Sequence, residues 1–285
     1  MSIQSAFEAI GAIAQVTEDT RQVWGRNGNS GGVTINIRTD KKGREYFDIR
    51  QARESEAEIS VVDRKPKDRH LLLMIKTEER PGVPEKAKYL CGHDEFHWFV
   101  AAVDSAAADV ARAKESLKPG EVKAIQERGK GNRKKAKGGV RRQGEWFFIP
   151  KKKMKVPHGQ ILKNEPIQRG RGKPHIVEEI WRTGGRDIVV PVINAWSRLK
   201  ESDLPAKWFE GLSPGQHAAL TRRKDNEGKL ARDIRWRQGR VDARVYGRGK
   251  VTHPDHSTLK LKVWHQIVPN TESQFVINEQ LLFID

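Results

Sequence analysis

The sequence has a single cysteine, Cys91, among its 285 residues. One thiol cannot form a disulfide within the chain, which excludes a fold built on disulfide bridges. No apolar run approaches the ~20 residues that a helix needs to span a bilayer. The N-terminal segment lacks the positively charged start of a signal peptide. We therefore expect a cytoplasmic protein without a membrane partner.

Signatures of common nucleotide-binding and hydrolytic enzymes are also missing. Gly170-Arg-Gly-Lys173 is followed by Pro174, whereas a phosphate-binding loop continues with Ser or Thr after its lysine. The chain has no Gly-x-Ser-x-Gly motif that would carry a nucleophilic serine. Its Gly-x-Gly pairs do not open a helix after a strand, as a dinucleotide-binding fold requires. We expect no cofactor other than a divalent metal, which is considered below.

Apolar residues make up only 36 % of the chain, but they cluster in short runs that suffice for a core. Several runs alternate apolar and polar residues, as Val33-Thr-Ile-Asn-Ile37 does, and this alternation is typical of half-buried strands. The pattern predicts an α+β fold that is β-rich, with mainly antiparallel sheets, a few short helices and two domains. The predicted divisions are an N-terminal helix and arm (1–30), a β-rich α+β domain (31–128), a basic flexible connection (129–143) and a C-terminal α+β domain that ends in a basic-faced hairpin (144–285).

Helices are predicted where capping residues precede apolar positions at helical spacing. One should begin at Asp104 or Ser105, and another at Ser213, where Pro214 and Gln216 complete a capping box. Helices are also predicted over 121–128, 175–181 and 229–238. The helix that starts at Ser213 and the 229–238 helix could form a helix-turn-helix, whose second helix would carry Arg232, Arg235 and Arg237.

Positive charge is concentrated in one part of the chain. The formal net charge is +17, and the stretch from Arg128 to Lys155 contains twelve Lys or Arg residues but only one acidic residue, Glu145. Such a concentration favours an anionic partner, and nucleic acid is the leading class. The predicted contacts in and beside the connection are Lys134, Lys135, Lys137, Arg141 and Arg142.

Two alternating strands joined by a Pro-containing turn form a predicted hairpin over 241–268. One of its faces would be apolar. The other would carry cations for phosphates together with two aromatic rings on which bases could stack. An ordinary solvated sheet face would have a similar composition. The predicted nucleic-acid-binding residues of this face are Arg244, Tyr246, Arg248, Lys250, Lys260, Lys262 and Trp264.

The turn of this hairpin also offers metal ligands. His253 and His256 bracket it within ~7 Å, and Asp255 lies between them. With a further ligand from elsewhere, such as His175, these side chains could bind zinc or magnesium. His265 would lie about 30 Å along the strand and on the apolar face, which predicts a core histidine with one hydrogen bond.

A second group of chemically active side chains lies in Cys91-Gly-His-Asp-Glu-Phe-His97. It could form a cysteine–histidine nucleophile or supply metal ligands. The same residues also fit a turn between two buried strands, in which Cys91 is a small apolar residue. A lone cysteine lacks the paired spacing of a zinc motif.

The interpretation that these features favour is a nucleic-acid-binding accessory protein from a mobile element, with binding rather than catalysis as its first role. Its partner would be DNA or RNA, with protein partners in a nucleoprotein complex. One alternative is a metal-dependent nuclease, in which the 253–256 turn and His175 act with Glu178 or Glu179. Another is a structural component of a ribonucleoprotein or virion, with its basic tracts buried against nucleic acid or an acidic subunit.

Overall fold

The structure is a computed structural model that describes residues 2–19, 32–53, 55–80, 83–129, 139–168, 173–193, 200 and 203–272. The fold is α+β and sheet-rich, and its sheets are mainly antiparallel, which confirms the predicted class. The described helices are short: α1 (Ile3–Ala9), α2 (Val110–Ser116), α3 (Gly120–Arg128), α4 (Ala206–Phe209), α5 (Pro214–Arg222) and α6 (Asn226–Asp233).

The strands of the described residues form four sheets. In chain order they are β1 (Ala14–Asp19), β2 (Val33–Thr39), β3 (Glu45–Ala52), β4 (Glu58–Lys65), β5 (His70–Arg80), β6 (Val83–Asp94), β7 (His97–Val103), β8 (Arg141–Gln143), β9 (Trp146–Pro150), β10 (Leu162–Ile167), β11 (His175–Thr183), β12 (Arg186–Val192), β13 (Arg235–Val241), β14 (Arg244–His253) and β15 (His256–Pro269). The sheet orders are β1-β3-β2, β4-β5-β6-β7, β12-β13 and β10-β11-β14-β15-β9-β8.

The chain forms two compact units. The first comprises the residues up to Ile149, the residues Asp255–Ser257 and the segment that starts at Val268. Strand β5 has buried side chains on both faces, because successive residues of a strand point to opposite sides. Leu71 joins a core with Phe7 of α1 and Phe47 of β3. Leu72 joins a second core with Val110 of α2. The four-stranded sheet of this unit is therefore covered by helix α1 and β3 on one side and by α2 on the other.

The second unit comprises, among the described positions, 150–168, 173–193, 200, 203–254 and 258–267. Trp208 of α4 is completely buried and shares a core with Leu220 of α5 and Ala231 of α6. Trp236 of β13 packs against it, with ring centroids 5.3 Å apart. Strands β10, β11 and β14 pair antiparallel beside one another. Pro191 lies in the two-stranded β12–β13 sheet, which agrees with the edge position that a proline in a strand requires.

Two of the predicted helices are wrong. Residues 175–181 belong to strand β11, whose Ile176, Val177 and Ile180 fit a strand paired on both sides as well as a helical pattern. Helix α6 begins after the cap Asp225 and ends at Asp233, so 235–241 form β13 and not the end of a helix. The predicted helix-turn-helix fails for the same reason, because two of its three arginines lie on a strand.

Other predicted boundaries shift. Helix α2 is capped by Asp109 and not by Asp104 or Ser105, because the Asp109 carboxylate accepts from the Arg112 N–H at 2.7 Å. The N-terminal helix is confirmed, and strand β1 follows it and pairs with β3. Of the predicted connection, residues 130–138 lie outside the described part of the chain, whereas 141–143 form β8.

His265 is a core histidine, as predicted. It is only 6 % exposed, and its Nδ1–H donates to the Val263 carbonyl at 2.6 Å. We expect His265→Ala to lower the free energy of unfolding by about 1–3 kcal/mol, because the change leaves a cavity and removes a buried hydrogen bond. Urea unfolding followed by circular dichroism measures the difference. His158→Ala, at an exposed position, is the matched control, and an equal loss in both variants would contradict the assignment.

Candidate functional site

The predicted hairpin is present, formed by β14 and β15 around the turn at Pro254 and Asp255. Four of its predicted phosphate-binding cations are solvent-exposed: Arg244, Lys250, Lys260 and Lys262. Within the described part of the chain, none of these four side chains forms an ion pair. Their charges are therefore available to an anionic partner.

Arg248 lies on the same hairpin but its charge is balanced. Its Nε–H donates to Glu179 Oε2 at 2.5 Å, and Lys163 bonds the other carboxylate oxygen of Glu179. The Arg248 guanidinium also lies 4.9 Å from the centre of the Trp264 ring. Hydrogen bonds from Arg248 and then from Lys163 hold the pKa of Glu179 below its ordinary value. Arg248 therefore stabilises the sheet surface through Glu179 and Trp264, and its charge is less available to an anionic partner than that of the four exposed cations.

The two aromatic rings of the hairpin are covered, which contradicts the expectation of an open stacking surface. Tyr246 is 7 % exposed and Trp264 is 5 % exposed. Trp181 on β11 lies directly opposite Tyr246 in the register and stacks on it at 5.4 Å. Trp181 is itself partly exposed, and its Nε1–H donates to Gln160 Oε1 at 2.9 Å. Packing within the sheet thus covers the ring faces that were predicted to stack on nucleic-acid bases.

The predicted strict alternation of β14 is interrupted by a β-bulge. Between Arg248 and Val251 lie two residues, whereas one residue, Glu178, lies between their partners on β11. Gly249 has φ +88°, and a Cβ there would lie 2.6 Å from Glu178 Oε2. The Glu178 carboxylate accepts from the Lys250 N–H at 2.7 Å. The bulge therefore holds the Lys250 backbone against β11 while the lysine itself is exposed.

A lysine-bearing turn within the second unit was not predicted from the sequence. The Lys151 N–H donates to the Trp264 carbonyl at 2.7 Å, which fixes the start of the turn against β15. The Met154 N–H donates to the Lys151 carbonyl at 3.0 Å and closes it. Lys152 and Lys153 are its exposed central residues. The lysine run was visible in the sequence, but only the backbone contact with Trp264 shows that it lies beside the hairpin.

The cations assigned to the connection are placed only in part. Lys134, Lys135 and Lys137 lie outside the described residues, and their role remains a prediction. Arg141 and Arg142 are exposed on β8. The Arg142 Nε–H donates to the Gly144 carbonyl at 2.8 Å, and its Nη2 lies 3.8 Å from Asp94 Oδ2.

Three of the four predicted metal ligands come together. The β11–β14 register pairs Ile176 with Thr252 and so places His175 beside His253, with ring centroids 4.1 Å apart. His256 follows His253 across the two-residue turn. His175, His253 and His256 each offer a nitrogen within 4.8 Å of the others. Asp255 is not part of this group, because its carboxylate lies 3.8 Å from His97 Nε2.

The carboxylates that the nuclease alternative requires are engaged elsewhere. Glu178 accepts from the Lys250 N–H, and Glu179 is bound by Arg248 and Lys163. Among the described residues, the candidate metal site therefore consists of imidazoles alone. The side chain of His256 is only 13 % exposed, so the turn is more enclosed than a hairpin tip is expected to be.

The Cys91 group is structural in character. Cys91 is fully buried in the core of the first unit, and burial raises the pKa of its thiol. A thiol held in its neutral form is a poor nucleophile. The Nδ1 of His97 is hydrogen-bonded to a carboxylate oxygen of Glu45 at 2.7 Å, so the partner of this histidine is a carboxylate and not Cys91.

Glu179, Arg248 and Lys163 form an ion triad, and it predicts how the free energy of unfolding depends on pH. Because its pKa is lowered on folding, ionised Glu179 stabilises the fold above the unfolded-state pKa of about 4.3. This stabilisation is lost as the pH falls through the folded-state value. Glu179→Gln should therefore reduce the free energy of unfolding by up to about 1 kcal/mol at pH 7, and the difference should shrink below about pH 4. Urea unfolding at several pH values tests this, with exposed Glu56→Gln as the control. A difference that is constant with pH would contradict it.

No described helix combines the length and apolar character needed to cross a membrane. Comparison of the chain with protein-family models, with curated proteins and with solved structures found no match. What the chain does has therefore to be inferred from the side chains of the hairpin, the lysine turn and the histidine group.

Proposed function

We propose that this chain is a nucleic-acid-binding accessory protein that contacts phosphates through the hairpin. The observation that carries the proposal is the set of four exposed hairpin cations that form no ion pair with any residue the structure describes: Arg244, Lys250, Lys260 and Lys262. Surface cations in an ordinary fold are often balanced by a neighbouring carboxylate, as Arg248 is by Glu179. The lysine turn adds Lys152 and Lys153 to the same unit.

The side chains favour contact with phosphates over recognition of bases. Lys260 and Lys262 are two residues apart on one strand, which spaces them by about 6.6 Å. Lys and Arg bind phosphates by displacing condensed counterions, irrespective of base sequence. Base stacking would need open aromatic faces, and Tyr246 and Trp264 are covered. The proposal is therefore for sequence-tolerant binding, with either DNA or RNA as the partner.

Binding should weaken steeply with salt. If the four hairpin cations each neutralise one phosphate of a duplex, the logarithm of the affinity should fall with the logarithm of salt concentration with a slope of about −3.6. Fluorescence anisotropy of labelled DNA and RNA duplexes of unrelated sequences, at 50 to 300 mM salt, measures it. An affinity that does not change with salt would contradict the electrostatic account, and a large preference for one sequence would contradict phosphate contact.

The double variant Lys260→Gln/Lys262→Gln locates the binding surface. It should weaken binding and reduce the steepness of the salt dependence by about 1.8, since two phosphate contacts are lost. Its thermal midpoint should hardly change, because both side chains are exposed.

The matched control is Lys41→Gln/Lys42→Gln, which removes the same charge from an exposed turn of the first unit. This control should retain the wild-type salt dependence. Equal weakening in both double variants would show that net charge alone determines binding, and the hairpin would lose its special role.

A further inference from the structure

Separately from nucleic-acid binding, three histidines at the hairpin turn lie close enough together to share a metal ion. His175, His253 and His256 are called the histidine group here. The three imidazoles come from consecutive strands of one sheet: His175 at the start of β11, His253 at the end of β14 and His256 at the start of β15. Their ligand nitrogens lie within 4.8 Å of one another. We propose that His175, His253 and His256 bind a divalent ion of the zinc class.

The donor set determines the class of metal. Magnesium and calcium select oxygen ligands, whereas imidazole nitrogen suits zinc, copper and nickel. The one carboxylate of the turn, Asp255, is directed to His97. Three protein nitrogens satisfy three of the four positions that zinc prefers, which leaves one for water or another ligand. The chemistry of the site thus differs from that of the magnesium centres expected of many nucleases.

A hydrogen bond to the backbone indicates which nitrogen of His253 is able to bind a metal. His253 Nε2 lies 3.2 Å from the Lys173 carbonyl, and a carbonyl can only accept, so Nε2 carries the proton. In that tautomer the lone pair is on Nδ1, the nitrogen that can bind a metal. His256 Nδ1 lies 3.9 Å from a carboxylate oxygen of Glu95, which is too long for a hydrogen bond but places negative charge beside the ring.

Burial distinguishes this group from histidines that merely lie close together at a surface. His175 is 1 % exposed and its ring is nearly parallel to that of His253, with an interplanar angle of 24°. Because an imidazole binds a metal in the plane of its ring, these two rings must rotate out of the stacked arrangement to share one ion.

The test is a titration of the untagged full chain, first stripped with EDTA. Isothermal titration calorimetry at pH 7.5 should show one zinc ion bound per chain and no binding of magnesium at the same concentration. Zinc should raise the thermal midpoint, because it binds the folded state. Zinc affinity should fall at pH 5.5, where protons compete for the imidazoles.

Variants assign the ligands. His253→Gln and His256→Gln should each reduce zinc affinity tenfold or more and abolish the zinc-dependent rise in thermal midpoint. His158→Gln, at an exposed histidine outside the group, should behave as wild type. If a variant does not fold by circular dichroism, the imidazole ¹⁵N signals of the wild-type chain replace it, and zinc should shift those of three histidines only.

The proposal is overturned if wild type binds no zinc, if both cluster variants retain wild-type affinity, or if His158→Gln loses it. The assays contain no nucleic acid, so their outcome is independent of the proposed binding function.

Discussion

The antiparallel pairing of β11 with β14 is the constraint on which the aromatic stack, the Glu179 ion pairs and the histidine group depend. This register places Trp181 opposite Tyr246, Glu179 opposite Arg248 and, at the end of the strands, His175 beside His253. The bulge at Gly249 lies in the same pair and can only be occupied without strain by a residue lacking Cβ. If the register between the two strands shifted by one residue, the side chains of one strand would point to the other face of the sheet. The aromatic stack, the ion triad and the histidine group would then all be lost.

Charge balance, and not charge count, distinguishes the cations of the second unit. Arg248 is held by Glu179 and packs over Trp264, so it stabilises the sheet surface. Lys260 and Lys262 are exposed and form no ion pair among the described residues. A cation that is already held by a carboxylate gains less from a phosphate, whereas a solvated single cation can replace the counterions condensed on a nucleic acid. This difference is why the hairpin, rather than the whole basic surface, is proposed to bind nucleic acid.

The two proposals place different chemistry on one hairpin. Its strands carry exposed cations, and its turn carries imidazoles next to His175. Imidazole ligands at the turn are suited to zinc and not to the oxygen-rich magnesium site of the nuclease alternative, whose carboxylates at Glu178 and Glu179 are bonded to the Lys250 N–H and to Arg248. A bound metal would hold the ends of three strands together and so support the register on which the cation surface depends.

Local sequence determined the features that need only neighbouring residues. The sheet-rich α+β class, the hairpin with its turn and the capping box at Ser213 follow from alternation, proline placement and side-chain to backbone bonds within a few residues. The core position of His265 follows from the same period of two. Tertiary structure alone decided the rest. Residues 175–181 suit a helix by spacing and became a strand because two partner strands satisfied their backbone. Trp181 covers Tyr246 and His175 meets His253 across 65 and 78 positions of sequence, and Arg248 covers Trp264 across 16. Alternation within a strand carries no information about what will lie across from it.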